Sequence, residues 1–307
     1  MKTVLITGVT GFIGRYTARQ FTEAGWRVVG LGTRPGENAP RQYLHAYHQL
    51  LLPNPQLNEL VKQVQPQVCI HCAGRASVNL SLQEPAADFT ASLDVTLNLL
   101  EALRCHAPQC HLVYLSSAAV YGNPESLPIQ ESQPPNPISP YGFHKLMCEQ
   151  LCREYFKIYD LPTAILRIFS AYGPGLRRQV LWDMCHKALT QPVLQLFGTG
   201  DESRDFIHGA DIARAISTLV EEGSFQAQVY NLASGVETTI RDLAQLIIAK
   251  LERNVPIEFD GSDNHGNPIN WQADTRHLSQ LGFSPEVTLE RGAQVYAQWC
   301  RAEIVGW

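Results

Sequence analysis

Cations are scarce in this chain of 307 residues: 24 lysines and arginines stand against 29 aspartates and glutamates, for a net charge of −5. Binding to nucleic acid is driven largely by Lys and Arg neutralising phosphates, so the deficit argues against that class. A small anionic ligand held by a few local cations is still allowed. Long apolar runs are lacking too. No stretch reaches the roughly twenty residues of a membrane span. After Lys2 the apolar run is only Val4-Leu5-Ile6 before Gly8, too short for a secretory leader. A cytoplasmic protein with no membrane or nucleic-acid partner is expected. Metal patterns are sparse too, because Cys69-x-x-Cys72 has no second such pair to complete it. The eight cysteines therefore read as reduced thiols, Cys69 and Cys72 as strand residues, and Cys148 and Cys152 as packing on one helix face. No metal is expected.

Charged residues make up only 17% of the chain and apolar ones 45%, enough to bury a large core. Strand-like and helix-like segments alternate through the first half. Strands are predicted at Thr3–Thr7, Arg27–Leu31, Val68–His71, Leu112–Leu115 and Thr163–Phe169. Helices are predicted from Phe12 to Ala24, from Pro85 to His106, and from Ser139-Pro140 onward. Such alternation means βαβ units, and hence an α/β fold with a doubly wound parallel sheet whose ligands sit at the carboxyl ends of the strands. Residues 1–169 are expected to form a dinucleotide-binding domain to which segments near 206–235 return. Residues 170–205 and 236–307 are expected to form a smaller, discontinuous substrate lobe.

Gly8, Gly11 and Gly14 lie between the first strand and the first helix, in Thr7-Gly8-Val9-Thr10-Gly11-Phe12-Ile13-Gly14. Glycines at that spacing allow a sharp turn, a close approach of backbone N–H groups to a pyrophosphate, and tight helix–strand packing. The second strand ends Gly30-Leu31-Gly32-Thr33-Arg34, with no carboxylate to meet the adenosine ribose. Arg34 could instead clamp a 2′-phosphate, so the residues favour NADP over NAD.

Tyr141 and Lys145 stand at i, i+4 on one predicted helix face. A neighbouring ammonium favours phenolate over phenol, so such a pair can pass a proton to or from a hydroxyl or carbonyl. Leu115-Ser116-Ser117 ends a strand, and a hydroxyl there completes a Ser–Tyr–Lys proton-transfer set around a hydride carrier.

Together these motifs resemble the extended short-chain dehydrogenase/reductases, specifically the NAD-dependent epimerase/dehydratase group acting on nucleotide sugars. His71-Cys72-Ala73-Gly74, Ala171-Tyr172-Gly173-Pro174-Gly175, Arg204-Asp205-Phe206-Ile207-His208 and the stretch from Asn270 to Phe283 extend the likeness along nearly the whole chain. The resemblance implies a Rossmann-type sheet with Ser117, Tyr141 and Lys145 catalytic. It implies that the cofactor meets Gly8, Gly11, Phe12, Ile13, Gly14, Cys72, Ala73 and Gly74, together with Tyr141 and Lys145. On the substrate side it implies Arg204 for a phosphate, Ser170 where relatives carry Asn, and a homodimer built on the Tyr141 helix and the Pro85–His106 helix.

Three departures carry information. Ala118 and Ala119 stand where the 4,6-dehydratases of the group have Asp-Glu, which argues against dehydration. Asn264-His265-Gly266-Asn267-Pro268 replaces an Arg-x-Gly-Asp-Pro pattern, so a second phosphate-binding arginine is lost, and Arg177 or Arg178 could substitute for it. Gly32 replaces the acidic residue of NAD-preferring members. The reading that follows is an NAD(P)-dependent nucleotide-sugar enzyme, with a 4-keto sugar reductase preferred slightly over a 4-epimerase. An NADP-sensing or RNA-binding protein of the same fold stays as the alternative from another class.

Overall fold

A computed structural model describes residues 1–262, 266 and 268–306. The chain opens with β1 (Thr3–Thr7), α1 (Phe12–Glu23), β2 (Arg27–Gly32), β3 (Ala46–Gln49), α2 (Gln56–Val64) and β4 (Val68–His71). There follow α3 (Val78–Gln83), α4 (Pro85–Phe89), a π-helical turn at Thr90–Asp94, α5 (Val95–His106), β5 (His111–Ser117), α6 (Pro140–Tyr159) and β6 (Thr163–Ile168). The remainder holds β7 (Ser170–Tyr172), α7 (Gln179–Thr190), β8 (Leu194–Leu196), β9 (Ser203–His208), α8 (Gly209–Glu222), β10 (Gln226–Leu232) and β11 (Glu237–Thr239). It ends with α9 (Ile240–Lys250), β12 (Ile257–Phe259), α10 (Arg276–Gln280) and α11 (Leu289–Val305).

Seven strands form one parallel sheet in the order β10-β6-β5-β4-β1-β2-β3. β1 shows why such strands read as unbroken apolar runs: both its faces are covered. Val4 and Ile6 pack toward α1 and α8 with Phe21, Ile212 and Ile216. Leu5, between them, packs the other way with Leu57 of α2, Leu99 of α5 and Cys152 of α6. The sheet is thus doubly wound, as the strand–helix alternation predicts. A third core joins Tyr172, Met184, Leu194, Leu243 and Tyr296 among α7, α9 and α11, beside two small sheets, β11-β9-β7 and β12-β8.

Several elements, α2 and β3 among them, go beyond the sequence expectation. β3 is an edge strand whose Ala46, Tyr47 and His48 are half-buried and whose Gln49 is exposed, so it offers no apolar run to detect. The helix expected from Pro85 to His106 is broken into α4, the π turn and α5, preceded by a separate α3. The strand expected to end at Phe169 stops at Ile168, and β7 leaves to pair with β9.

α6 begins where expected. The Ser139 hydroxyl accepts from Gly142 N at 3.2 Å, and Pro140 occupies the first turn. Behind it lies a fully buried ion pair. Arg167 of β6 donates from Nε to Glu149 Oε1 at 2.9 Å and from Nη2 to Oε2 at 2.7 Å, with both side chains out of water. Burial alone would lower the guanidinium's pKa, but the hydrogen bonds and charge of Glu149 more than reverse that and push it up. Removing one partner strands the other charge in the interior. Arg167→Met is expected to reduce unfolding free energy by roughly 3–5 kcal/mol in urea titrations, and the double change with Glu149→Leu to recover most of that loss.

Candidate active site

At the carboxyl edge of the sheet a cleft of ≈ 680 Å³ runs between the glycine turn, the ends of β4, β5 and β6, and the third core's lobe. That size suits a cofactor together with a small-molecule substrate. Gly8, Gly11, Phe12, Ile13, Gly14, Cys72, Ala73 and Gly74 line one end of it, and Ser117, Tyr141 and Lys145 the middle. Ser170 and Arg204 line the lobe side.

The glycine turn is built for backbone contact. Gly8 has φ +65°, and a Cβ there would sit 2.7 Å from Ala73 N and 2.8 Å from the Cys72 carbonyl. A Cβ on Gly14 would lie 2.4 Å from Gly8 O, which is how α1 packs so closely on the turn. Gly11 caps α1 without a side chain. The first-turn N–H groups, which have no intrahelical acceptor, are therefore left to a ligand. This cradle fits the pyrophosphate of a dinucleotide.

His71 locks the turn from beneath. The Thr96 hydroxyl donates to Ser92 O at 2.7 Å, so it accepts from His71 Nε2 at 3.2 Å. His71 Nδ1 then accepts from the Thr7 hydroxyl at 2.7 Å, and Thr7 Oγ1 in turn accepts from Ala73 N at 3.2 Å. Burial, with Lys145 nearby, draws the imidazole down to about 3 and keeps it neutral in this single tautomer. Burial likewise pushes the Cys72 thiol up to about 12, which makes it a poor nucleophile or redox centre.

In the middle of the cleft, Lys145 donates from Nζ to Leu115 O at 2.8 Å and lies 5.9 Å from the Tyr141 ring centre. An ammonium has three donors, so others stay available. Ser117 Oγ accepts from Ala119 N at 3.1 Å, which leaves its own hydrogen free to be donated. Ala118 and Ala119, directly after it, are buried.

On the lobe side, Arg204 lies 5.5 Å from the Trp271 ring and donates to the Ser203 and Ile269 carbonyls at 2.7 and 3.1 Å. Among the described residues it has no carboxylate partner. Burial draws it down to about 10, so it is still a cation at neutral pH. The neighbouring Asp205 accepts from Ser234 N, Ser234 Oγ, Gly235 N and Ala273 N, and so ties β9 to the segments at Ser234–Gly235 and Ala273.

One expected binding residue stands elsewhere. Arg177 pairs with Glu303 of α11 and does not line the cleft, whereas its neighbour Arg178 does. Adjacent residues at the start of a helix point in different directions, so only one of the two could face inward. Arg34 is exposed in the loop after β2 and is not among the lining residues. Of Asn264-His265-Gly266-Asn267-Pro268, only Gly266 and Pro268 belong to the described residues, and both line the cleft. Arg178 and Trp271 are lining residues that could be told from their neighbours only once the lobe had folded.

The profile of the NAD dependent epimerase/dehydratase family matches residues 4–233. The chain belongs to this family. Similar members include a UDP-glucose 4-epimerase from Mycolicibacterium smegmatis, 28% identical over 94% of this chain and 95% of its own. The UDP-glucose 4-epimerase of Thermotoga maritima, solved with UDP-glucose, superposes with a TM-score of 0.90 at 26% identity, covering 98% of this chain and 99% of that one. The UDP-glucuronic acid 4-epimerase of Bacillus cereus, solved with UDP-glucuronic acid and NAD, gives the same TM-score, identity and coverage.

In this family member the backbone cradle is the feature most open to test. Gly14→Ala forces α1 away from Gly8 O, and its affinity for NADH, followed by fluorescence titration, is expected to fall on the order of tenfold or more. Unchanged affinity would remove the turn from the binding site.

Proposed function

We propose that the protein is a nucleotide-sugar 4-epimerase that uses NAD. The observation that carries the reading is the meeting of Ser117, Tyr141 and Lys145 in the cleft that the glycine turn closes at one end. The near full-length likeness to 4-epimerases supports it and favours epimerisation over the one-way reduction to which an NADP preference points. The NAD in the Bacillus cereus complex favours NAD over NADP.

A nicotinamide bound here supplies hydride removal from C4 and its return. The residues that would hold the dinucleotide are Gly8, Gly11, Phe12, Ile13, Gly14, Cys72, Ala73, Gly74 and Lys145. Tyr141 Oη takes the C4 hydroxyl proton and later gives one back, a base in one half of the reaction and an acid in the other. The Ser117 hydroxyl donates to the same oxygen, and Lys145, with donors to spare, can hydrogen-bond the nicotinamide ribose. Arg204, with Arg178, holds the substrate's phosphates as a guanidinium can, and Ser170 offers the sugar a short hydroxyl. Elimination of water would need a second acid/base group, and the positions after Ser117 hold only Ala118 and Ala119, which argues against a dehydratase. The division into a dinucleotide unit, 1–169 with 206–235, and a substrate lobe, 170–205 with 236–307, belongs to the same reading.

A homodimer is part of the proposal. Phe89 of α4, Leu97 of α5, and Phe143 and Met147 of α6 are each more than two-fifths exposed, and the last two sit at i, i+4. So much apolar surface on neighbouring helices suits a partner copy. Phe143→Glu is expected to sediment as a monomer at concentrations where the parent is dimeric. A parent that sediments as a monomer overturns this part.

The reaction is tested with a panel of UDP-glucose, UDP-galactose, UDP-N-acetylglucosamine and UDP-glucuronate, following product ratios and absorbance at 340 nm together. Interconversion with no net change of cofactor is expected, falling by about 10²–10⁴-fold in Tyr141→Phe. Stoichiometric loss of NADPH on a 4-keto sugar, without interconversion, would make the protein a reductase.

A further inference from the structure

The segment that carries Ser117 is gripped on both sides by one buried ion pair. Immediately before it, the Ser116 hydroxyl donates to Glu149 Oε1 at 2.7 Å. Four residues after it, the Tyr121 hydroxyl accepts from Arg167 Nη1 at 2.8 Å and donates to Asn231 Oδ1 at 2.7 Å. The Asn231 amide continues to the Ile129 carbonyl at 2.9 Å. Glu149 and Arg167 themselves form the bidentate pair between α6 and β6. Ser116, Glu149, Arg167, Tyr121 and Asn231 are all almost wholly buried.

Glu149 also stands one helical turn beyond Lys145, and Lys145 one turn beyond Tyr141. The same face of α6 therefore meets the end of β5 twice: Lys145 Nζ at the Leu115 carbonyl and Glu149 at the Ser116 hydroxyl. A fold that needed only apolar packing here would do as well with leucines, since a buried ion pair is weak evidence for stability. What the charged pair adds is direction. A bidentate guanidinium–carboxylate contact fixes distance and plane together, and here it extends by hydrogen bonds to the residues on either side of Ser117.

We propose that Glu149 and Arg167, acting through Ser116 and Tyr121, are positioning residues that set Ser117 against Tyr141 and Lys145. None of the four is required to touch substrate. The catalytic consequence rests on the proposed epimerase reading, while the structural consequence stands without it.

Two measurements keep these apart. In backbone hydrogen exchange, Ser116→Ala is expected to lose protection by about tenfold or more at residues 117–121, with the sheet cores unchanged. In steady-state epimerisation at 25 °C, the same variant is expected to lose on the order of tenfold in kcat with KM for the nucleotide sugar within about twofold, because misplacement of a reacting group slows chemistry more than binding. Ser116→Thr keeps the hydroxyl and is expected to restore both. A lowered melting temperature with kcat and local exchange as in the parent would overturn the inference, making the network structural only. If the parent interconverts no nucleotide sugar, the epimerase reading fails and the exchange result alone decides the positioning role.

Discussion

A parallel sheet must put every strand's carboxyl end on one edge, and the rest of this molecule is arranged around that constraint. Most crossovers are helices that cover one face or the other, and only β2 to β3 crosses by short 3-10 turns at Gly36–Asn38 and Arg41–Tyr43. After β1 the chain turns to the face that carries α1 and α8; after β4 it turns to the face that carries α2, α5 and α6. β1 and β4 are neighbours, so their connections part and leave a crevice that neither fills. The glycine turn lies on one side of that crevice and the His71–Gly74 segment on the other. The Thr7–His71–Thr96 chain of hydrogen bonds staples the two together from below. The absence of a side chain at Gly8 is thus as consequential as an acid or base elsewhere, because the approach of two backbones defines the proposed cofactor bed.

Legibility in the sequence followed the range of the interactions. The glycine turn and the Tyr141–Lys145 pair are local patterns, and both could be read before any tertiary contact was known. The same holds for the Ser139-Pro140 start of α6. The strand order was legible only as a class, because alternation implies a doubly wound sheet without saying which edge β3 occupies. β3 itself gave no signal, since an edge strand with half-buried Tyr47 and His48 has neither alternation nor an apolar run. Arg177 and Arg178 show the limit at the site. One pairs with Glu303, 126 residues away, and the other lines the cleft, a choice that no local rule contains. The Glu149–Arg167 pair did leave a trace, an arginine in the middle of Thr-Ala-Ile-Leu-Arg-Ile, where a central strand should be wholly apolar. A charge in such a place asks for a partner, and the partner is 18 residues back along the chain.

The triad on its own is indifferent to whether hydride leaves for good or comes back. In the proposed reading Tyr141 would take a proton in one half of the reaction and give one in the other, and Ser117 would donate to the oxygen at C4 in both. What separates an epimerase from a reductase is how the rest of the cleft treats the sugar between the two transfers. For epimerisation the ring must present its opposite face to the same hydride carrier without the nucleotide leaving, so the phosphates must be held firmly and the sugar loosely. The proposed site has that asymmetry. Arg204 is anchored by two carbonyls and backed by Trp271. The small side chains of Ala119, Ser170 and Ala171 are among the residues that line the cleft. A guanidinium fixed at the diphosphate end, with room left at the sugar end, is what would let a turning keto sugar be kept and still be free to turn.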